Sequence, residues 1–321
     1  MKTTVYFSSL IMGSFLLSIS LNSCYSPIGN AIIEGEDVAL EKVYYEISPY
    51  TTEGDNFYIT TGNITRANVD PIGINCKYLV AEVYDLDSIA DGDYIPEVIE
   101  LSTDAGDEIS SLGLYLNRGK SYKLSIIVSD KELNVSDNGH VYMPSVSMKT
   151  YWGITQIDVT ESSPSTNTAD FVLSRPIGRI TVKVLDCCPT ELLDYRFYYS
   201  HYCDSINMLT GCGIPRNTQY VAGMDESTFF QTANKSISVY SFVDTSAETV
   251  AVGTTDFYNT GSITFTATVH GKTDYLTNMT KSNIPILQNR QTVISGNFFG
   301  SNTSLSLQVN DEWDTPVTID W

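Results

Sequence analysis

The chain has 321 residues, with 38 acidic against 18 basic residues and a formal net charge of −20. That balance excludes partners gripped through their phosphates, nucleic acid first among them, and anionic lipid surfaces. Abundant Thr, Ser, Val and Ile with 21 tyrosines favour strands, and Lys, Arg and Ala are too sparse for a helical bundle.

Residues 11–24 read IMGSFLLSISLNSC and stand behind a single early cation, Lys2. The apolar run from Val5 to Ile19 is too short and serine-rich for a permanent membrane helix. It reads as the core of a lipoprotein signal peptide over residues 1–23. The segment closes on Leu21-Asn22-Ser23-Cys24, which resembles a bacterial lipobox. In such a box the cysteine takes a diacylglycerol, the chain is cut ahead of it, and the new N-terminus is acylated, commonly with palmitate. Cys24 is therefore the expected lipidation site, and each buried methylene would add about 0.8 kcal/mol of membrane attachment. Tyr25-Ser26-Pro27 brings no acidic residue after the cysteine, which fits an outer-membrane lipoprotein carried to the cell surface. The processed chain, 24–321, is long enough for two domains.

A linker over 24–37 precedes the first strand, Val38–Ile47, where Val43, Tyr45 and Ile47 alternate with Tyr44 and Glu46. Residues 48–63 read as a polar loop or weak hairpin, and Lys77–Asp85 as the next strand. The acidic stretch 85–108 reads as loop with a short helix. Strands are expected at Tyr122–Val128 and around Ile154–Val159. The Ser/Thr/Pro segment 160–168 is the best mid-chain linker. Beyond it strands are expected at Asp170–Leu173, Ile177–Leu185, Tyr195–Tyr199, Ser236–Val243, Ser262–Val269, Thr292–Phe299 and Leu305–Val309. The pattern predicts an all-β chain of two tandem β-sandwiches, over 38–165 and 166–321.

Chemistry-bearing residues are few. Five cysteines follow Cys24, an odd number, so at least one thiol stays free or pairs between chains. Cys187, Cys188, His201, Cys203 and Cys212 are the only polar constellation worth testing, and their C-C-x12-H-x-C-x8-C spacing matches no familiar zinc pattern. Asp85, Asp87, Asp91 and Asp93 alternate in DLDSIADGD but lack the bidentate glutamate of an EF-hand loop. No G-x-S-x-G elbow accompanies the three histidines, His140, His201 and His270. Glu108 and Asp104 read as a solvated face rather than a glycosidase dyad. The expectation is a non-enzyme without metal or cofactor. Dense tyrosines (Tyr195, Tyr198, Tyr199 and Tyr202) and the pair Tyr151-Trp152 invite a carbohydrate-binding alternative, although strand aromatics are most often half core and half surface.

Two stretches carry a family resemblance. FVLSRPIGRITVKVLD (171–186) and IPILQNRQTVISGNFFG (284–300) with LSLQVNDEW (305–313) are similar to landmarks of the Bacteroidetes-type fimbrillin family, the lipoprotein pilins of type V pili. The resemblance implies two transthyretin-like β-sandwich domains and a structural subunit or anchor of a surface fimbria that mediates adhesion. It implies assembly by donor-strand exchange with other fimbrial subunits, and attachment to the outer membrane through lipid. A host or bacterial surface receptor is then a further partner. In that family the first strand of stalk subunits is removed by a trypsin-like protease. The first arginine beyond Cys24 is Arg66, the candidate cut. After Thr315-Pro316, the terminal VTIDW places Val317, Ile319 and Trp321 on one face, a candidate donor strand. It reads equally as the last strand of its own domain. The alternative to a fimbrial role is an outer-membrane lipoprotein that binds glycans.

Overall fold

The computed structural model describes residues 41–51, 70–71, 76–89, 96–103, 109, 111–136, 139–186, 192–218, 220–225, 235–245, 258–269, 275–299, 305–312 and 315–318. Cys24, Arg66, Cys187, Cys188, His270, Ile319 and Trp321 lie outside them, as do the expected signal peptide and linker. The described chain is nearly all β and forms two compact units. The first ends at Arg175 and includes Met208–Thr210; the second comprises Pro176–Asn207 and Gly211 onward.

The first unit contains β1 (Lys42–Thr51), β2 (Asp70–Pro71), β3 (Tyr78–Asp85), the one-turn helix α1 (Leu86–Ile89), β4 (Glu97–Ser102) and β5 (Leu112–Asn117). It continues with β6 (Lys120–Ser129), β7 (Asn134–Val135), β8 (His140–Tyr142), β9 (Thr150–Val159) and β10 (Thr166–Leu173). One sheet has β1 between β10 and β5, with β2 paired to the far end of β1. The other has the order β4-β3-β6-β9. Their facing sides form one core: Val43 and Ile47 from β1, Leu112, Leu114 and Leu116 from β5, and Phe171 and Leu173 from β10 meet Leu79, Val83, Leu124, Ile126 and Val159. Period-two alternation on both sheets produces this packing.

The second sheet is unusual in being buried on its other side too. Val80, Glu82 and Tyr84 of β3 and Ser125 and Ile127 of β6 are all buried there. Met143, Val141 and Met208 are buried as well. Ser125 Oγ donates to the Met208 carbonyl at 2.6 Å, which ties Met208–Thr210 to this face. Near-continuous apolar runs such as YLVAEVYD in β3 reflect that double burial.

The divide expected at 165/166 falls inside this unit. Only the start of 160–168 is a turn, at Glu161–Ser162, and Thr166 onward is strand. Tyr44 N donates to the Ser165 carbonyl at 3.0 Å, and Arg118 Nη1 donates to the Glu161 carbonyl at 3.1 Å. Hydrogen bonds from β1 and from the turn between β5 and β6 hold this polar stretch in place.

The second unit contains β11 (Ile177–Val184), β12 (Leu192–Tyr199), β13 (Cys203–Asn207), β14 (Gly213–Pro215), β15 (Tyr220–Asp225) and β16 (Lys235–Phe242). It ends with β17 (Tyr258–Val269), β18 (Tyr275–Leu287), β19 (Gln291–Gly296), β20 (Leu305–Glu312) and β21 (Thr315–Thr318). The two large sheets run β16-β11-β19-β20-β21 and β15-β12-β17-β18. Ile180, Val182 and Val184 of β11 are buried, as are Val239, Val293, Ile294, Phe197 and Phe298. Phe197 and Phe298 meet edge to face with centroids 5.7 Å apart.

Candidate functional site

β1 is the central strand of its sheet. Its ladder to β5 runs from Lys42 opposite Asn117 to Ile47 opposite Leu112. Its parallel ladder to β10 runs from Tyr44 beside Thr166 to Thr51 beside Leu173. β1 is therefore hydrogen-bonded on both edges, while Val43 and Ile47, each 0% exposed, fill the core. A sandwich without it has two open ladders flanking a groove lined by Leu112, Leu114, Leu116, Phe171 and Leu173. Position 66, the expected cut, follows β1 in the chain.

The outer side of the same sheet carries aromatic residues. Tyr44 and Tyr115 stand opposite each other in the β1–β5 ladder, with ring centroids 5.2 Å apart and planes inclined at 54°. Tyr115 is 43% exposed. Tyr44 lies over Gly113, where an added Cβ would stand 2.8 Å from the Tyr44 hydroxyl. Burial first, then Glu46 and Tyr115, raise the Tyr44 phenol above its ordinary pKa. Glu46, Thr166 and Thr168 are exposed around the pair.

β21 is the last strand of the sheet β16-β11-β19-β20-β21. It pairs antiparallel with β20, Val317 opposite Val309 and Thr318 opposite Gln308. In the chain on its own, Val317 is thus part of an intramolecular hairpin.

The cysteine–histidine constellation is partly assembled. His201 has a left-handed backbone, φ 65°, and its Nε2 stands 3.2 Å from Oδ2 of buried Asp244. Cys212 Sγ donates to Oδ1 of the same carboxylate at 3.3 Å. Cys203 N donates to Ser241 Oγ at 2.9 Å, and its thiol faces the His201 carbonyl at 3.7 Å. Burial pushes the Cys203 thiol well above the ordinary thiol range, with the Asp244 charge adding to it. The imidazole thus addresses a carboxylate rather than a thiol, and the buried thiol is a poor nucleophile. Among the described residues no three His, Cys, Asp or Glu side chains are grouped to hold a metal ion. Asp85, from the acidic run, pairs with Lys120, and its Oδ1 accepts from Asp87 N at 3.0 Å; Asp91 and Asp93 lie outside the described residues.

The tyrosines singled out in the sequence are mostly core. Tyr199, Tyr202 and Tyr151 are buried, and Trp152 Nε1 donates to Ser125 Oγ at 2.9 Å. Sequence reading missed Tyr44 with Tyr115. Alternation in VYY already put Tyr44 on the face opposite Val43 and Tyr45, but its partner strand β5 was unrecognised. Among the described residues no helix is long and apolar enough to cross a membrane.

A model described as a family of unknown function (DUF6562) matches residues 133–320. No curated protein is matched. A fimbrial assembly protein from Parabacteroides distasonis is similar at 9% identity and TM-score 0.44, over 87% of this chain and 99% of that one. The tip fimbrial protein Mfa3 from Porphyromonas gingivalis, with C-terminal truncation, is similar at 9% identity and TM-score 0.42, over 84% and 99%. A Bacteroides thetaiotaomicron protein provisionally described as polysaccharide-binding (DUF1812) is similar at 9% identity and TM-score 0.48, over 87% and 98%.

Proposed function

This chain belongs to the family of unknown function DUF6562, and we propose that it serves as a structural subunit or anchor of a surface fimbria, assembled by donor-strand exchange. The observation that carries the reading is the placement of β1. It is the first described strand, it fills the core of the first unit, and it is paired on both edges. Its excision exposes a groove that a strand from a neighbouring subunit fills with the same hydrogen bonds and the same alternation of apolar side chains. A cut at Arg66 frees the segment that bears Cys24 and β1, and with it the lipid. An anchor keeps both and needs no cut.

Donation from the C-terminus requires β21 to leave β20, a short edge strand whose release breaks only one ladder. Val317, Ile319 and Trp321 then enter the neighbour's groove, each contributing roughly 1.5–3 kcal/mol on burial. The role is structural and non-enzymatic, with other subunits, the outer membrane through Cys24 lipid, and a surface receptor as partners.

Filaments sheared from the native cells, run unheated on a denaturing gel and sequenced from the N-terminus, test this reading. A ladder of multimers that start after residue 66 supports a processed subunit. A monomer that begins at lipidated Cys24 in the membrane fraction leaves only the anchor role. A monomer found solely in the soluble fraction overturns both.

A further inference from the structure

We propose that the outer face of the β1–β5–β10 sheet is a binding platform for neutral glycans, centred on Tyr44 and Tyr115. The proposal does not rest on the fimbrial reading; it concerns the chain that keeps β1, because a cut at Arg66 would remove Lys42, Tyr44 and Glu46 with that strand. Tyrosines in a sandwich sheet usually turn one edge into the core. These two lie on the side of the sheet away from it, beside each other, and Tyr115 is 43% exposed. Gly113 makes the arrangement possible: with no side chain there, the Tyr44 ring lies across β5 beside Tyr115. A pyranose offers a flat patch of C–H groups on one side and hydroxyls around its rim. An aromatic face suits the patch, and short polar side chains suit the rim.

The register supplies that rim. Glu46 is opposite Gly113 on one side and beside Thr168 on the other, and Thr166 is beside Tyr44. Lys42 shares this face of β1 and is exposed, as is Glu46. One cation and one anion therefore border the rings directly, and Asp170 stands farther along the same face of β10, beside Ser48. A rim of hydroxyl, carboxylate and ammonium groups around two phenols matches a ligand rich in hydroxyls and without net charge. An anionic sugar would face Glu46 within a chain of net charge −20, and a basic peptide would face Lys42. The sequence alone pointed to other tyrosines for this alternative; of those, Tyr151, Tyr199 and Tyr202 are buried, so the structure moves the candidate to a different face.

Affinity electrophoresis of the uncut chain through native gels that carry yeast mannan or barley mixed-linkage β-glucan tests the proposal, against a gel without polysaccharide. The expected result is retardation in at least one of the two. Tyr115→Ala then weakens binding about tenfold, as loss of one aromatic contact does, and Tyr115→Phe, which keeps the ring, stays within about twofold. Glu46→Gln removes no ring and reads the rim separately; it also weakens binding, while the thermal transition of each variant is followed in parallel. Migration unchanged in both polysaccharides overturns the proposal. So does retardation that Tyr115→Ala and Glu46→Gln leave intact, because the glycan then sits elsewhere. Binding by a chain that forms no filaments leaves this inference standing and counts only against the fimbrial role.

Discussion

Tyr84 donates its phenolic hydrogen to Oε2 of Glu82, two residues earlier on the same strand, while Oε1 of that carboxyl has no hydrogen-bond partner among the described residues. Glu82 is 0% exposed. It stands opposite Ser125 on β6 and Val98 on β4, with Gly139 beside its Oε1. Burial pushes its pKa up to about 7, against the lesser opposing effect of the Tyr84 bond.

The pH dependence of stability follows from that. Between about pH 4.5 and 7 the folded chain holds a proton on Glu82 that the unfolded chain has released, so stability falls as pH rises through this window and levels off above it. The loss is on the order of 3 kcal/mol at about 1.4 kcal/mol per pH unit. Glu97 and Glu100, raised by burial, act in the same direction, whereas His140, lowered by burial, acts in the opposite one. Denaturant unfolding at pH 5 and pH 8 of the wild type and of Glu82→Gln isolates the contribution of Glu82. The variant is expected to lose most of the difference between the two pH values.

Arg175 is buried and hydrogen-bonded. Its Nε donates to the Met148 carbonyl at 3.1 Å, its Nη2 to the Tyr151 hydroxyl at 3.1 Å, and its guanidinium lies 5.3 Å from the centre of the Tyr151 ring. Arg175→Lys keeps the charge but not the planar fork, and a cost of about 2 kcal/mol is expected. Equilibrium unfolding in urea at constant pH measures it. A variant as stable as wild type would mean that the fork contributes nothing.

Gly153 marks a close approach of β9 to β10. An added Cβ would stand 2.4 Å from the Val172 carbonyl oxygen and 3.0 Å from Phe171 and Leu173 side chains. The obstacle is backbone, so it cannot rotate away. Gly153→Ala is expected to destabilise the first unit by about 1–3 kcal/mol. A drop in the thermal midpoint, read by circular dichroism, checks it.

Thiol reactivity follows burial. Cys76 is buried, and its pKa is pushed up to about 12, chiefly by burial and then by the Asp130 charge. Cys203 is buried and raised further. Cys212 is only partly buried. Brief iodoacetamide treatment of the folded chain followed by peptide mass spectrometry is expected to label Cys212 ahead of the other two. Cys76 and Cys203 should react only in denaturant.

The strands legible in the sequence are those with strong alternation or long apolar runs. Lys77–Asp85 matches β3, and Ile177–Leu185 matches β11 to within a residue. β5 escaped for a physical reason. Leu112, Leu114 and Leu116 keep a strict period of two, but Gly113 within the strand reads as a breaker. Only a ring from another strand makes that glycine suitable, and one sequence does not announce the pairing. β18, thirteen residues long, contains Pro285 and pairs with β17 through register shifts, both of which blur its pattern. The polar contacts were least legible. Asp244, which joins His201 to Cys212, stands 43 residues from His201 and carries no motif.

The parallel pairing of β1 with β10 sets a timetable for folding. Tyr44 must find Thr166, about 120 residues later in the chain. A chain that crosses a membrane N-terminus first delivers β1 long before β10 exists beside it. Until residue 173 has emerged, β1 has only β5 and the two-residue β2 to hold it, both on one edge, and its apolar side chains lie within reach of any passing strand. A cell that makes this chain must therefore shield the segment, as a chaperone does, for the time the intervening chain takes to emerge.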